Sequence, residues 1–284
     1  MKKFNLFIIG AQKTGSSYLH FLLLNQNEIS GPREEIDSFD LPNGKLNFPL
    51  QNTPYRLCKR ANLLANLDAA NRIHKYNKDA KILVVLRNPV SRLESSIRHY
   101  MRLGLLEFKP LDFYGAKILN DNWSELNKPL QLAVQFSLYG KYLLEWIKIF
   151  GCQQVLIIKE NEIKSKECLK HMLEGFLCLK SPLVFKNISN AYSKTIPNNY
   201  NLYKLSNRSA KFFWKRQGEC KIKRRRPIFL SRTVNYVLLR TFIFCFRAED
   251  VKGKKLLAFS PEFRSSLFVI FKEDQRLLST LVKS

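Results

Sequence analysis

The chain has 284 residues and a formal net charge of +25 at pH 7, and 45% of its residues are hydrophobic. The length suffices for one large domain or two small ones, and the apolar content excludes a disordered or fibrous chain. The charge indicates polyanionic partners such as phosphorylated cofactors, acidic glycans, acidic lipids or nucleic acid, because net charge governs association rather than fold. Residues 200–284 are the most basic part, with a net charge of +14.

Cysteine usage and apolar runs indicate the cellular setting. The six cysteines contain no Cys-x-x-Cys pair, so we expect reduced and mostly buried thiols. The apolar run Phe4–Ile9 is too short for the core of a signal peptide, and we therefore expect a cytoplasmic protein. The stretch Tyr236–Phe246 is interrupted by Arg240 and is too short to cross a bilayer.

Apolar runs that precede loops and helical patterns predict an α/β fold. Residues 4–9 form the first run, followed by a glycine loop and a helix that Ser16 and Ser17 open. The second run, Ile82–Leu86, precedes Arg87-Asn88-Pro89 and another helix, because proline suits the first helical position.

The next elements continue the alternation of helix and strand. Leu130–Phe150 predicts one long amphipathic helix, and Val155–Ile158 predicts a third buried strand. The expected fold is therefore a P-loop-like, three-layer α/β domain with a mainly parallel central sheet, whose ligand lies at the carboxyl ends of the strands.

The C-terminal third is harder to interpret. Residues 190–250 are polar, basic and aromatic, and we interpret them as a basic elaboration of a single domain over residues 1–284, with a helix over Thr233–Phe246. Ser260-Pro261-Glu262 then predicts a capped helix through Phe271, which Asp274–Leu281 continues or follows.

The loop over residues 10–17 has the glycine spacing of a phosphate cradle. A Walker A loop needs lysine directly after its second glycine, whereas Ser16 follows Gly15 here and Lys13 comes earlier. The next strand ends in Arg87 rather than in a carboxylate that could hold Mg²⁺, which disfavours a metal-dependent NTPase. An ordinary structural turn remains the alternative.

A second candidate anion site follows the second strand. Arg87 stands at the strand end, and Ser91 and Ser95 lie on one face of the following helix. Arginine offers a phosphate a bidentate fork and serine adds a hydroxyl donor. Taken alone, Arg87 is more simply a solvated helix cap. Two such loops at the ends of parallel strands indicate a nucleotide site.

With these two loops the sequence resembles the sulfotransferases that use 3′-phosphoadenosine 5′-phosphosulfate (PAPS), especially the heparan-sulfate type and its bacterial relatives. The resemblance covers residues 4–160 and 252–284. It implies that the 5′-phosphosulfate binds to the loop made of Lys13, Thr14, Gly15, Ser16 and Ser17. It implies that Arg87 and Ser95 bind the 3′-phosphate.

The same resemblance extends to Glu34-Glu35-Ile36-Asp37-Ser38-Phe39-Asp40, which is similar to the family's Lys-Glu-x-His-Phe-Phe-Asp segment. It implies that Glu35 is the catalytic base and that Asp37 and Asp40 contact the acceptor. Glu34 stands where the family has lysine, and Asp37 where the heparan enzymes have histidine. Both departures bear on the acceptor more than on the donor.

A third stretch completes the nucleotide site that the resemblance implies. Lys252, Gly253 and Lys254 are similar to the basic loop that closes over the 3′-phosphate, and the arginine run Arg224–Arg226 is its rival. Sulfuryl transfer moves SO₃ in line from a phosphate to a hydroxyl or amine and needs a base and cations but no metal. Lys13 would then neutralise the bridging oxygen.

Histidines and the basic cluster supply the alternatives. No two of the four histidines are three or four residues apart, which disfavours a metal site, and His99 is the reserve candidate for the base. The cluster Lys211–Arg226 could attract an acidic glycan, a glycolipid or a membrane surface. It could also be a solvated face.

Two competing functions remain. One is a non-catalytic protein that binds nucleic acid or polysaccharide, and the other is a nucleoside or sugar kinase. Nucleic acid is not the expected partner.

Overall fold

A computed structural model describes residues 2–42, 44, 48–49, 51–185, 214–217, 221–224 and 256–283. Its contacts divide the chain into two compact units, each discontinuous in sequence. The first unit comprises Met1–Arg92, Phe136–Tyr192 and Phe271–Ser284, and the second comprises Leu93–Gln135 and Ser193–Ile270. The interpretation of residues 1–284 as a single domain stays a prediction.

A five-stranded sheet forms the centre of the first unit. Its strands are β1 (Leu6–Gly10), β2 (Ile29–Ser30), β3 (Tyr55–Lys59), β4 (Lys81–Leu86) and β5 (Val155–Lys159). They lie in the order β2-β3-β1-β4-β5, and every neighbouring pair is parallel. The mainly parallel sheet is therefore confirmed. The three strands expected from apolar runs are present, whereas β2 and β3 were not expected.

Helices cover both faces of this sheet. The helices of the first unit are α1 (Ser16–Leu24), α2 (Leu67–Tyr76), α6 (Tyr139–Phe150), α7 (Glu160–Lys164) and α8 (Lys166–Leu177). Alternate residues of the strands point to opposite faces. Phe7 and Ile82 pack with Trp146 of α6, whereas Leu6 and Leu83 pack with α1 and α8. This arrangement confirms the three-layer α/β fold.

The remaining helices complete the described chain. They are α3 (Pro89–Arg102), α4 (Leu111–Asn120), α5 (Lys128–Gln135) and α9 (Pro261–Lys283). The helix predicted after Arg87-Asn88-Pro89 is confirmed as α3: Asn88 Oδ1 accepts a hydrogen bond from the Ser91 N–H over 3.0 Å, as an N-cap residue does. The helix predicted from Ser260 onward is confirmed as one continuous element.

The single long helix expected over Leu130–Phe150 is wrong. The structure has α5 and α6 instead, and the chain leaves the helical path at residues 136–138. The buried Ser137 hydroxyl donates to the Pro89 carbonyl over 3.2 Å. The Asp274 carboxylate accepts hydrogen bonds from the Gly140 and Lys141 N–H groups over 2.9 and 2.8 Å. These contacts between distant residues outweigh the local helical pattern.

The second unit contains part of the predicted basic elaboration. Strands β6 (Trp214–Gln217) and β7 (Lys221–Arg224) form an antiparallel pair. Elsewhere in this unit the Glu94 carboxylate accepts from the Phe259 N–H over 3.0 Å and pairs with Arg264. The helix predicted over Thr233–Phe246 lies outside the described residues.

The cysteine prediction needs a correction. Of the four described cysteines Cys58 is buried, whereas Cys152, Cys168 and Cys178 are exposed, and all four are free thiols. Cys178 is at the end of α8, where a left-handed backbone conformation ends the helix at the surface. Thiols outside apolar strand patterns therefore need not be buried. Among the described residues no helix is long and apolar enough to cross a membrane.

Candidate active site

The loop after β1, residues 10–17, is named here the donor loop, and its conformation requires glycine at its start. Gly10 has φ +150°, and a Cβ atom there would lie 2.8 Å from the Ala61 carbonyl oxygen. The Thr14 hydroxyl donates to the Ala11 carbonyl over 2.7 Å, and the Ser16 hydroxyl donates to the same oxygen over 3.3 Å. The donor loop is thus closed by its own hydroxyl groups.

The donor loop includes the first two residues of α1, which begins at Ser16, and this creates a site suited to an anion. Gly15, with φ +105°, precedes the first helical residue. The N–H groups of a first helical turn have no partner within the helix and carry partial positive charge. Gln12 Oε1 is buried without a hydrogen-bond partner among the described residues. The helix N-terminus and Lys13 fit a phosphate-bearing ligand, whereas the Gln12 amide oxygen is an acceptor and fits a donor group of such a ligand rather than its phosphate.

The second predicted anion loop lies at the same edge of the sheet. Strand β4 pairs in parallel with β1, and the Ala11 N–H donates to the Val85 carbonyl over 2.8 Å. Arg87 follows β4 directly, and its Nε lies 3.1 Å from Glu160 Oε2. Ser95 lies in α3. The assignment of Arg87 and Ser95 to the 3′-phosphate stays a prediction.

Residues 31–40, named here the base segment, carry the carboxylate predicted to be the catalytic base. Lys59 Nζ lies 2.5 Å from Glu35 Oε1, and the same ammonium donates to the Ser17 hydroxyl over 2.8 Å. The Lys59 side chain is 4% exposed and the Glu35 side chain 35% exposed. A buried ammonium therefore connects a solvent-accessible carboxylate to the donor loop.

A second cation holds the other end of the base segment. Arg60 directs two nitrogens, each at 2.7 Å, to Asp40 Oδ2, and its Nη1 lies 3.5 Å from Glu35 Oε2. Arg72 donates to the Phe39 carbonyl over 2.9 Å. Asp40 is therefore engaged within the protein. Its predicted contact with the acceptor, and that of the exposed Asp37, stay predictions.

Lys59 and Arg60 were not singled out from the sequence. Lys59 is the last residue of β3 and Arg60 follows it, and this strand has only two buried apolar residues, Leu57 and Cys58. This short pattern is weaker than the apolar runs of β1 and β4. The signal that could have found them is two adjacent cations at the end of a strand, the position where parallel sheets bind ligands.

Two histidines bear on the prediction of the base, and the role of His99 stays a prediction. His99, the reserve candidate for the base, lies in α3, where its Nδ1 is 3.0 Å from Arg102 Nη2. His20 of α1 is 1% exposed and interacts electrostatically with Lys59 and Glu35. Burial, and then the neighbouring Lys59 ammonium, lower the pKa of His20 to about 4. The histidine close to Glu35 is therefore His20.

Two further predicted groups lie outside the described residues. Lys252, Gly253 and Lys254 are not described, and neither are Arg225 and Arg226 of the rival arginine run. In the part of the chain that is described, no group of three or more His, Cys, Asp or Glu side chains is arranged to hold a metal ion.

Comparison with known families identifies the family to which this sequence belongs. The family described as "Sulfotransferase domain" matches residues 4–223. The chain belongs to the sulfotransferase family. The match includes the donor loop, the base segment and Arg87, and it ends before Lys252–Lys254.

Individual relatives agree with this family. The bifunctional heparan sulfate N-deacetylase/N-sulfotransferase 1 of Caenorhabditis elegans is 29% identical over 178 residues, which are 57% of this chain and 20% of that protein. The carbohydrate sulfotransferase 15 of Rattus norvegicus is 30% identical over 123 residues, which are 38% of this chain and 22% of that protein. The chain thus spans about a fifth of the length of these curated relatives.

A solved structure shows the same fold. The sulfotransferase from Alicyclobacillus acidocaldarius superposes with a TM-score of 0.55 and is 20% identical, over 68% of this chain and 88% of that one. The expected P-loop-like fold is therefore found in a sulfotransferase of known structure.

Proposed function

We propose that the chain transfers a sulfuryl group from PAPS to a hydroxyl or amine of a glycan, glycolipid or small-molecule acceptor. The observation that carries this proposal is the chain of contacts from the donor loop to a carboxylate. Lys59 Nζ contacts Ser17 of α1 at 2.8 Å and Glu35 at 2.5 Å. An anion-binding loop connected to a base is the arrangement that transfer to a hydroxyl requires.

On the donor side, this chain's residues bind and neutralise phosphate groups. PAPS, when bound, supplies the activated sulfuryl group on a phosphate leaving group. The donor loop would hold that phosphate with N–H groups, and Lys13 would neutralise the charge that grows on its oxygen. Arg87 would bind the 3′-phosphate. The phosphate would replace its present partner Glu160 or lie beside it.

On the acceptor side, Glu35 takes the proton of the attacking hydroxyl or amine. Its partly exposed carboxylate can be reached from solvent, while buried Lys59 fixes its orientation. Arg60 keeps Asp40 beside it. The exposed Asp37 would contact the acceptor from the surface of the base segment. Together these side chains bind, orient and deprotonate an acceptor, with no metal.

The acceptor class follows from the relatives and from charge. The two curated relatives are named for heparan sulfate and for carbohydrate, and residues 200–284 carry a net charge of +14. Both support a glycan or glycolipid acceptor. The same charge would hold the chain against an acidic membrane surface if the acceptor is a glycolipid. We propose that the reaction takes place in the cytoplasm.

Calorimetry followed by a transfer assay tests the proposal. Adenosine 3′,5′-bisphosphate should bind in the micromolar range without metal, and labelled sulfate should pass from PAPS to one of a panel of glycans, glycolipids and phenols in the presence of a chelator. Lys13→Ala should lose transfer more than binding. Binding of Mg·ATP with no response to the bisphosphate would overturn the proposal in favour of a kinase. Bisphosphate binding without transfer to any acceptor would favour a non-catalytic protein.

A further inference from the structure

The short segment between α5 and α6, residues 136–138, has no part in the proposed reaction but contacts the start of α3. Ser137 is fully buried, and its hydroxyl donates to the Pro89 carbonyl over 3.2 Å. Pro89 is the first residue of α3 and lies two residues after Arg87. A hydroxyl from a distant part of the chain therefore holds the backbone beside the predicted 3′-phosphate site.

Arg87 lies midway between two such attachments. On one side, the Val85 carbonyl accepts a hydrogen bond from the Ala11 N–H of the donor loop over 2.8 Å. On the other side, the Pro89 carbonyl accepts from Ser137. Each attachment is two residues from Arg87, so together they fix the direction in which its side chain leaves the backbone. Removing the second attachment leaves the first intact and releases only the α3 side.

The segment that carries Ser137 is held in turn by α9. The carboxylate of Asp274, which is buried, accepts hydrogen bonds from the Gly140 and Lys141 N–H groups in the first turn of α6, over 2.9 and 2.8 Å. N–H groups in a first turn have no partner within the helix and favour a negative charge. A Cβ atom at Gly140 would lie 2.4 Å from the Asp274 carbonyl oxygen, so the two backbones are in direct contact.

We propose that Ser137 and Asp274 are positioning residues that set where Arg87 meets the 3′-phosphate of the donor, an inference that rests on the proposed function. Both side chains are buried, so they act on Arg87 through the backbone rather than on the nucleotide. Ser137 acts through the Pro89 carbonyl. Asp274 acts through the start of α6, which directly follows residues 136–138. Helix α9 is thereby connected to donor binding.

Two nucleotides separate this role from a general loss of folding. We expect Ser137→Ala to lower the affinity for adenosine 3′,5′-bisphosphate by about 3- to 10-fold. The affinity for adenosine 5′-monophosphate, which lacks the 3′-phosphate, should be unchanged. Asp274→Asn should show the same selective loss, because the two N–H groups bond to different carboxylate oxygens and an amide has only one acceptor oxygen.

Each substitution has a matched control. Ser30→Ala also removes a buried hydroxyl, one that bonds to the Thr53 hydroxyl over 2.6 Å in β2, at the edge of the sheet. Glu273→Gln removes the charge of the exposed neighbour of Asp274 on α9. Both controls should keep the wild-type affinity for each nucleotide.

A double-mutant cycle shows whether Ser137 acts through Arg87. In an Arg87→Ala background, Ser137→Ala should cause no further loss of bisphosphate affinity, because the guanidinium that it positions is gone. Unchanged affinity in Ser137→Ala, equal losses for both nucleotides, or additive effects of the two substitutions would overturn the proposal. If Asp274→Asn does not fold, Gly140→Ala takes its place, since the added methyl group displaces α6 from α9. An unchanged ratio of the two affinities would then remove Asp274 from its role.

The same measurements separate this proposal from the proposed function. Selective binding of the bisphosphate by wild type without transfer to any acceptor would overturn the proposed function, while the cycle would still decide the role of Ser137. If wild type binds both nucleotides equally, the assignment of Arg87 to the 3′-phosphate and the positioning role of Ser137 are both wrong.

Discussion

The donor loop and the base segment meet at Lys59, but they are built in different ways. The donor loop is closed by contacts among its own residues, where Thr14 and Ser16 both donate to Ala11. The base segment is held by Lys59 and Arg60, which lie 24 and 25 residues after Glu35. The donor loop combines these internal contacts with a hydrogen bond from Ala11 to Val85, whereas the side chains of the base segment depend on tertiary packing. Donor binding and catalytic rate should therefore respond to different substitutions.

Removing the base should lower the catalytic rate most while leaving donor binding unchanged. Glu35→Gln keeps the size of the side chain but removes the proton acceptor, and general-base catalysis is typically worth about 10²- to 10⁴-fold in rate. We expect that loss in kcat with unchanged bisphosphate affinity. Glu34→Gln is the control, since Glu34 is the exposed neighbour of Glu35. Equal activity of the two variants would remove Glu35 from its role and leave Asp40 or a histidine as the base.

The pH dependence of folding stability should show whether His20, which interacts with Lys59, is neutral in the folded chain. His20 has a pKa of about 4 in the folded chain, against 6.5 as its ordinary value. Between these values the unfolded chain binds a proton that the folded chain does not, because the buried ring faces Lys59. The stability contribution of neutral His20 is therefore present above pH 6.5 and is lost as the pH falls toward 4, by about 3 kcal/mol in total.

Urea unfolding at several pH values measures this effect. The free energy of unfolding of wild type should fall more steeply than that of His20→Leu between pH 6.5 and 4. His74→Leu, which removes a half-buried histidine of α2, should follow wild type. Parallel curves for wild type and His20→Leu would show that the imidazole is not held neutral in the folded chain.

Arg87→Ala should affect donor affinity alone, by a smaller factor. Hydrogen bonds to charged groups contribute about 1.5–3 kcal/mol, so the variant should lose about 10- to 100-fold in affinity for adenosine 3′,5′-bisphosphate. Its affinity for adenosine 5′-monophosphate, which lacks the 3′-phosphate, should be unchanged. An equal loss for both nucleotides would mean that Arg87 supports the loop rather than the 3′-phosphate. Glu160→Gln, which removes the partner of Arg87, should strengthen binding of the bisphosphate.

The difference between local and tertiary contacts also explains how much of the molecule could be predicted from sequence. Strands β1 and β4 are continuous apolar runs, and each is followed by a loop whose glycine or proline marks the turn into a helix. Local chemistry therefore predicts the fold class, the donor loop and the position of Arg87 at the sheet edge. The family resemblance, rather than any pattern of spacing, led to Glu35.

What could not be predicted depends on residues distant in sequence. The base segment has no regular secondary structure except short turns, and its partners Lys59 and Arg60 end a strand that mixes polar and apolar residues. From the sequence alone, His20 is a polar residue in an apolar helix, and its interaction with Lys59 arises only in the folded chain. The break between α5 and α6 likewise depends on Asp274, more than 130 residues away. Pairings of this kind have no local signature.

Ionic strength should change the KM for the acceptor more than the KM for PAPS, and this is the smallest of the expected effects. The net charge of +14 in residues 200–284 exceeds what one nucleotide needs, and we expect the cluster Lys211–Arg226 to attract an anionic acceptor. Attraction of this kind is screened over about 8 Å at physiological salt. Raising the salt concentration should therefore raise the KM for the acceptor a few-fold and the KM for PAPS less, because the donor is held by short contacts.

Neutralising the arginine run tests whether this cluster is responsible. The triple variant Arg224→Gln, Arg225→Gln and Arg226→Gln should show, at low salt, the acceptor KM that wild type shows at high salt. A matched triple, Lys75→Gln, Lys78→Gln and Lys128→Gln, removes three exposed charges elsewhere and should keep the wild-type salt response. If instead the arginine variant raises the KM for PAPS while the acceptor KM stays independent of salt, Arg224–Arg226 belong to the nucleotide site. They would then replace Lys252–Lys254 as the loop over the 3′-phosphate.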